Sequence, residues 1–445
     1  MTQGSEVKAI LAFGMPLLFG NILQQLYNFV DTLIVGRGIS MNALAAVGTT
    51  GSINFLVLGF IMGMAQGVNI LVAQYFGAKD FAALKKSVTM SLIINVIIGI
   101  VISILAIAFV PLLLENMNTP AEILDDAILY IRIIFAGILI SLAYNFLSGI
   151  LRALGDSKNP LRAMIIAFFV NTALDLLFVL VFGWGVAGAA LATVLAQGVS
   201  ALFCFIQCSK LEILHLNKED WHMDLGLMKK SLSLSLPVAI MNSITATGVI
   251  VLQAAINAYG AAYVAAYSAA SKINMILEQI SSTFGYATGT FVGQNLGANE
   301  IERIKKGVSK INLVVIGFNV AAALLMICFA KPLMALMVGE DETLVMEYGA
   351  HCLIFLSVFL FALGILWVHR CALQSMSDTF FPMLSGLLEF FARVFGVMLF
   401  PKLMGFDGLL MAEVFAWICA AIMLVIVYKV RIHSLLSKPM VFGEA

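Results

Sequence analysis

Charge is what this chain has least of. Only 11% of its 445 residues are Asp, Glu, Lys or Arg, where a soluble domain carries about 25%. That leaves too little polar surface to coat a soluble protein of this size, and the mean hydropathy of +1.03 agrees. The 25 basic and 25 acidic residues cancel, so no general attraction to nucleic acid follows. Histidine is scarcer still. His215, His222, His351, His369 and His433 are scattered, and none makes a metal pair at helical spacing. The six cysteines (Cys204, Cys208, Cys328, Cys352, Cys371, Cys419) lie in or beside apolar segments without a histidine or carboxylate to complete a ligand set. They read as packing residues. A glycine-rich phosphate loop ending in GKS or GKT is missing, which argues against direct drive by ATP. No polar stretch is long enough to house a catalytic domain, so the chain reads as a non-enzyme without an organic cofactor.

What is present is apolar length. Twelve stretches between charge clusters reach the roughly 20 residues that a span needs: near 8–35, 43–75, 86–113, 122–151, 160–182, 186–208, 229–257, 262–294, 308–335, 344–370, 380–401 and 406–429. Two of them exceed 30 residues and should tilt or project beyond the bilayer. The Ser5–Lys8 segment runs straight into the first stretch, so that stretch is expected to be retained rather than cleaved.

The chain also repeats itself. VAQYFGAKDFAALKK at Val72–Lys86 returns about 220 residues later as VGQNLGANEIERIKK at Val292–Lys306. Pro16 answers Pro237, and the turn at Gly155-Asp156-Ser157 with Pro160 answers Ser377-Asp378-Thr379 with Pro382. Two copies of one membrane bundle are implied, an architecture common in secondary transporters. Six spans per copy is an even number, so both copies enter the membrane in the same direction and form a parallel repeat. The expected organisation is an N-terminal lobe at 1–208, a cytoplasmic linker at 209–226, a C-terminal lobe at 227–430 and a cytoplasmic tail at 431–445. Nineteen of the 25 lysines and arginines, Arg370 and Lys438 among them, fall on one side of this arrangement. Only Arg37, Lys331 and Lys402 fall on the other. That bias places both termini in the cytoplasm, with the acids around Glu115 and Glu340-Asp341-Glu342 outside.

The matched residues resemble the multidrug and toxic compound extrusion (MATE) family. The resemblance rests on Pro16, the run Val30-Asp31-Thr32-Leu33-Ile34-Val35-Gly36, the Gln74/Gly77 and Gln294/Gly297 turns, Arg152-Ala153-Leu154-Gly155-Asp156, Asn171-Thr172-Ala173-Leu174-Asp175 and Gly185-Val186-Ala187-Gly188-Ala189-Ala190. These cover essentially the whole chain in family order. The resemblance implies an all-α, V-shaped protein of twelve helices in two six-helix lobes. It further implies a monomeric antiporter of the plasma (inner) membrane that expels amphipathic, often cationic compounds in exchange for H⁺ or Na⁺.

Ionisable side chains near the bilayer centre cost about 2.5–3.5 kcal/mol each on insertion scales, so each needs a reason. Asp31 and Asp175 lie roughly 8 and 12 Å below the outer edge, counting 1.5 Å per residue, and Thr193 falls at a similar level. Asn171 is one turn from Asp175 on the same face. Asn21, Gln24, Asn28 and Asp31, with Tyr27 beside them, form a polar stripe that should face a wet cavity or other helices. Neither aspartate has a basic residue one turn away. At about 4 Å and an effective dielectric of about 20, their repulsion is about 4 kcal/mol, so a proton or a bound Na⁺ should decide the charge of at least one. The alternative is that each aspartate bonds locally and locks helix packing. At the repeat offset Asp31 falls on Leu252 and Asp175 on Val397. A feature of one copy only points to function rather than scaffold. Family members similarly carry a first-lobe cation or proton site at the positions matching Asp31, Asn171, Asp175 and Thr193, and Asn145 is a further candidate.

In the second copy, Glu389 and Arg393 are four apart and share a depth with Glu413, which suggests a structural charge network. Glu278 lies on the stripe Ser271, Asn274, Glu278, Ser281, Gly285, Thr288 and has no basic partner one turn away, so Glu278 and Asn274 join Gln24, Tyr27 and Asn28 as cavity candidates. NorM-type family members carry acids well inside spans 7 and 10. Here span 7 has none and span 10 only Glu347 near its outer end, which favours the DinF-like, proton-coupled branch. Three functions compete: a cation- or proton-coupled exporter of amphipathic cations, a flippase for lipid-linked saccharides, and a passive pore or sensor. Five intramembrane acids against three bases (Arg132, Lys272, Arg393) favour cationic cargo.

Overall fold

A computed structural model describes residues 1–117, 119–338 and 342–437. Glu340, Asp341, Lys438 and most of the expected tail lie outside the described residues. Among the described residues the protein is all-helical. The long elements are α1 (Glu6–Gly38), α2 (Met41–Ala78), α3 (Phe81–Asn116), α4 (Ala121–Ala136), α5 (Ile138–Ala153), α6 (Lys158–Asp175), α7 (Gly185–Ser209), α8 (Leu225–Asn257), α9 (Ala261–Gly297), α10 (Ile301–Val338), α11 (Thr343–Val358) and α12 (Leu360–Ser375). They are followed by α13 (Phe380–Leu399), the short α14 (Pro401–Met404) and α15 (Asp407–Ser437).

Nine of these segments are individually long and apolar enough to cross a membrane, among the described residues. The pairs α4–α5 and α11–α12 make two more, each bent by about 45° at a short break. Helix α9 has the length, with 37 residues, but Ser271, Lys272, Asn274 and Glu278 make it too polar for the same test. Bulky apolar side chains such as Phe29, Ile104 and Phe391 stand more than half exposed along these helices, as lipid-facing surfaces require.

The sequence repeat is written into the backbone. Lys79 and Asn299 both take left-handed conformations (φ 59° and 57°) where α2 and α9 end, and Gly155 (φ 93°) is matched by Ser377 (φ 64°). The bends at Gly137 and Phe359 occupy equivalent positions as well. Among the described residues, one feature belongs to the first copy alone. Directly after Asp175, α6 widens into a π-helical turn, Leu176–Val181, whose Phe178 ring stacks on that of Trp184, just before α7, at 4.9 Å.

The chain divides into two compact units, and their bounds differ from the expected lobes. An N unit comprises Phe19–Ala239; a C unit comprises Met1–Leu18 with Ile240–Ala445. The chain passes from one unit to the other two residues after Pro16 and two after Pro237. In the C unit the start of α1 packs on α9, where Gly14 lets the Phe284 ring approach so closely that a Cβ would lie 2.8 Å from it. Ile10 and Phe13 enter the core there. Arg303 donates to the Gly4 carbonyl at 2.7 Å, and Lys310 pairs with Glu6 at 3.0 Å. In the N unit the start of α8 lies against the glycine stripe of α2. A Cβ on Gly63 would stand 2.5 Å from Ala239 Cα, and one on Gly67 2.4 Å from Ser235 Cα. Ser91 and Ser231 share a hydrogen bond of 2.8 Å, the Thr89 hydroxyl donates to the Asp220 carbonyl at 2.6 Å, and Lys86 pairs with Asp224 at 2.9 Å. The Leu227 amide and then Lys86 hold the Asp224 carboxyl below the usual carboxylate range.

Candidate functional site

In the N unit, four helices converge on one set of polar side chains. Helix α1 supplies Tyr27 and Asp31 one turn apart, α6 supplies Asn171 and Asp175 with the same spacing, α7 supplies Thr193, and α4 supplies Tyr130. Asp31 is 9% exposed, Asp175 0% and Asn171 1%, so these groups have left bulk solvent. The two carboxyls act on each other directly, Asn171 faces Asp175, and Tyr27 lies beside Thr193 within the field of both acids. Tyr130 lies in the same field. No hydrogen bond of good geometry reaches Asp31 Oδ1, either Asp175 oxygen, either Asn171 amide atom, or the Tyr27 and Thr193 hydroxyls. Buried polar atoms are normally satisfied, at a cost of about 1–3 kcal/mol when they are not. A concentration of such atoms around two carboxyls marks a place that receives something: a proton, a cation or water. The carboxylates, the Asn171 amide oxygen and the Thr193 hydroxyl are the oxygen donors a Na⁺ would need. The π-helical turn begins at the residue after Asp175, and such turns often fall at functional sites.

The remaining candidates are distributed differently. Gln24 and Asn28 bond each other at 3.3 Å, with Asn28 exposed, so the polar stripe splits into an inward half (Tyr27, Asp31) and an outward half. Asn145 donates to the Ser141 carbonyl of its own helix at 2.8 Å, and Ser141 in turn bonds Gln197. Tyr130 was invisible to sequence reasoning, because an aromatic in an apolar span carries no charge signature.

In the C unit the charge network is wired differently from the expected Glu389–Arg393–Glu413 chain. Glu389 is bound by Arg370 at 2.7 Å, both 3% exposed, and Arg370 also donates to Ser385 at 3.0 Å. Arg393 grips Glu413 with two bonds, Nε to Oε2 at 2.6 Å and Nη2 to Oε1 at 2.8 Å, and Glu389 is only a neighbouring charge to it. Arg370 is therefore a buried partner and not the loop cation that its place in the sequence suggested. The reason is tertiary: α12 brings a cation across to Glu389 with better geometry than the i, i+4 position offers. Gly248 makes room for the second pair, since a Cβ there would lie 2.3 Å from Arg393 Nη1. Asn274 donates to Glu278 at 2.6 Å. Lower on the stripe, Ser281 bonds Asn319 and Gly285 abuts the Trp367 backbone, so that half of the stripe serves packing. Of the positions matching the aspartates, Leu252 is buried in the apolar core and Val397, half-buried, packs against it.

Two homologous bundles of membrane-length helices, one holding a buried acid pair and the other two arginine–glutamate pairs, mark a membrane transporter. The MatE family model matches residues 16–177 and again 237–398; the chain belongs to this family. Each match begins at one of the two prolines, and their offset is that of the repeat. The probable multidrug resistance protein YpnP of Bacillus subtilis is 28% identical over 82% of this chain and 82% of its own length. The probable multidrug resistance protein YoeA of the same organism is 28% identical over 81% and 79%. A crystal structure of a MATE protein in complex with MaL6 superposes with a TM-score of 0.91 at 24% identity, covering 98% of each chain, a likeness of fold.

Proposed function

We propose that this protein is a secondary antiporter that exports amphipathic, cationic compounds in exchange for protons by alternating access. In this reading it works as a monomer in the cytoplasmic membrane, with both termini inside. The observation that carries the proposal is the buried Asp31–Asp175 pair, which has no basic partner among the described residues of the N unit and no counterpart in the C unit. Loading one proton removes the repulsion between the carboxyls; releasing it restores the repulsion, and the change can reset how α1 packs on α6. One proton crossing at about 100 mV supplies about 2.3 kcal/mol, a population shift of about fifty-fold. The multidrug names of the two Bacillus relatives support the cargo class. So does the net charge of the interior, even with Arg370 counted among the bases, because Arg370 and Arg393 are each engaged by a glutamate and leave little positive charge for a pyrophosphate headgroup. The lack of any acid in α8 favours the proton-coupled branch over a NorM-like second-lobe site.

The test is efflux of ethidium from proteoliposomes under an imposed proton gradient, an imposed Na⁺ gradient, or neither. Acceleration by the proton gradient alone is expected. Acceleration by Na⁺ alone would reassign the coupling ion, and equal flux under all three conditions would make the protein a passive pore.

A further inference from the structure

Glu278 is the acid in the interior of the C unit that no arginine grips, among the described residues. Glu389 has Arg370 and Glu413 has Arg393. With Lys272 exposed, the two buried bases against three acids leave Glu278 as the acid without a cationic partner. Its side chain is half-buried on the face of α9 that also carries Asn274 and Tyr267. Glu413 and Arg393 both act on it, with opposite signs.

The neighbouring amide sharpens the assignment. Asn274 is 4% exposed, and its Nδ2 is committed to Glu278 Oε1 at 2.6 Å. That bond fixes the amide so that Oδ1 is turned inward, where it is buried and meets no donor. A carboxylate and an orphaned amide oxygen, one helical turn apart, form a pair of acceptors awaiting donors. A proton alone would neutralise Glu278 and leave Asn274 Oδ1 unsatisfied. A protonated amine brings one positive charge and up to three N–H donors, which matches both groups. The half-buried Tyr267 ring, which lies near Glu278, offers an aromatic wall for the rest of such a molecule. The repeat isolates the acid further. At the offset of the Val72/Val292 match, Asn274 is answered by Asn54, but Glu278 by Leu58.

We propose that Glu278 and Asn274 form a binding site in the C unit for the protonated amine of an amphipathic cargo, separate from the aspartate pair of the N unit. This deepens, and rests on, the reading of the cargo as an amphipathic cation.

The test is equilibrium binding of dansylcadaverine, a fluorescent primary amine, to the purified full-length protein in detergent at pH 7 with no ion gradient. Dansylamide, which lacks the amine, is the comparison. Glu278→Gln should weaken amine binding at least about tenfold, as expected for losing a charge-assisted contact, and leave dansylamide binding unchanged. Glu278→Asp, which keeps the charge, should retain part of the affinity, and Asp31→Asn should leave it in place. A second readout uses the unmodified protein: dansylcadaverine should protect Glu278 from carbodiimide modification, read by mass spectrometry, and dansylamide should not. Wild-type affinity in Glu278→Gln, loss of binding in Asp31→Asn instead, or no protection of Glu278 would each overturn the proposal. Because no gradient is applied, Glu278-dependent binding in a protein that fails proton-driven efflux would refute the coupling scheme and leave this site standing.

Discussion

Arg370 and Arg393 are 3% and 1% exposed, and each holds one glutamate. Removing one member of a buried pair leaves an uncompensated charge, at a cost of about 3–5 kcal/mol, whereas replacing both by apolar residues is often neutral. Arg370→Leu and Arg393→Leu should each lower the melting temperature in detergent, and Arg370→Leu/Glu389→Leu should recover most of the first loss. A normal melting temperature in the single variants combined with lost transport would make these pairs functional rather than structural. The sequence announced Glu389 and Arg393 by their spacing but concealed Arg370, because a cation near the end of a span reads the same whether it faces cytoplasm or another helix. Asp31, Asn171, Asp175 and Thr193 were legible for the opposite reason. Polar residues deep in apolar runs have few places to go, and simple depth counting brought them to one level. Tyr130, with no such signature, could be found only from the fold.

Helix α2 approaches the start of α8 through Gly63 and Gly67, where no side chain fits. An added methyl on Gly67 would meet the Ser235 backbone, which cannot rotate away as a side-chain tip could. Gly67→Ala should therefore destabilise by about 1–3 kcal/mol. Gly48→Ala, with nothing within 4 Å of the new carbon, serves as the comparison. Equal melting temperatures for the two would refute the close contact. Pro16 acts on a different property. Inside α1 it removes one backbone hydrogen bond and weakens the helix against bending, and the chain leaves the C unit two residues later. Pro16→Ala should slow transport of ethidium severalfold while leaving its binding nearly unchanged. A spin-label pair on α1 and α6 should report different distances at pH 5 and pH 8. Normal export by the variant, or one distance at both pH values, would remove the hinge from the mechanism.

The whole molecule is two copies of one bundle, and that was readable because the repeat preserves turn residues: Gln74 and Gln294, Gly77 and Gly297, and the left-handed positions at Lys79 and Asn299. The exchange of Met1–Leu18 and Leu225–Ala239 between the units was not readable. Helix periodicity is local, whereas the exchange depends on which neighbour a glycine face meets. Within this frame the copies have diverged in their charges. The N unit keeps two carboxyls without a basic partner where the C unit has Leu252 and Val397, and the C unit pairs Glu389 and Glu413 with arginines. Under the proposed function, ion coupling belongs to the N unit. Its most direct test is accumulation of ethidium against its gradient in proteoliposomes, comparing wild type with Asp31→Asn/Asp175→Asn under the same pH difference. Gradient-driven accumulation should vanish in the variant, with its melting temperature preserved and ethidium exchange at equal pH still detectable. Full pH-driven accumulation by the variant would contradict the assignment.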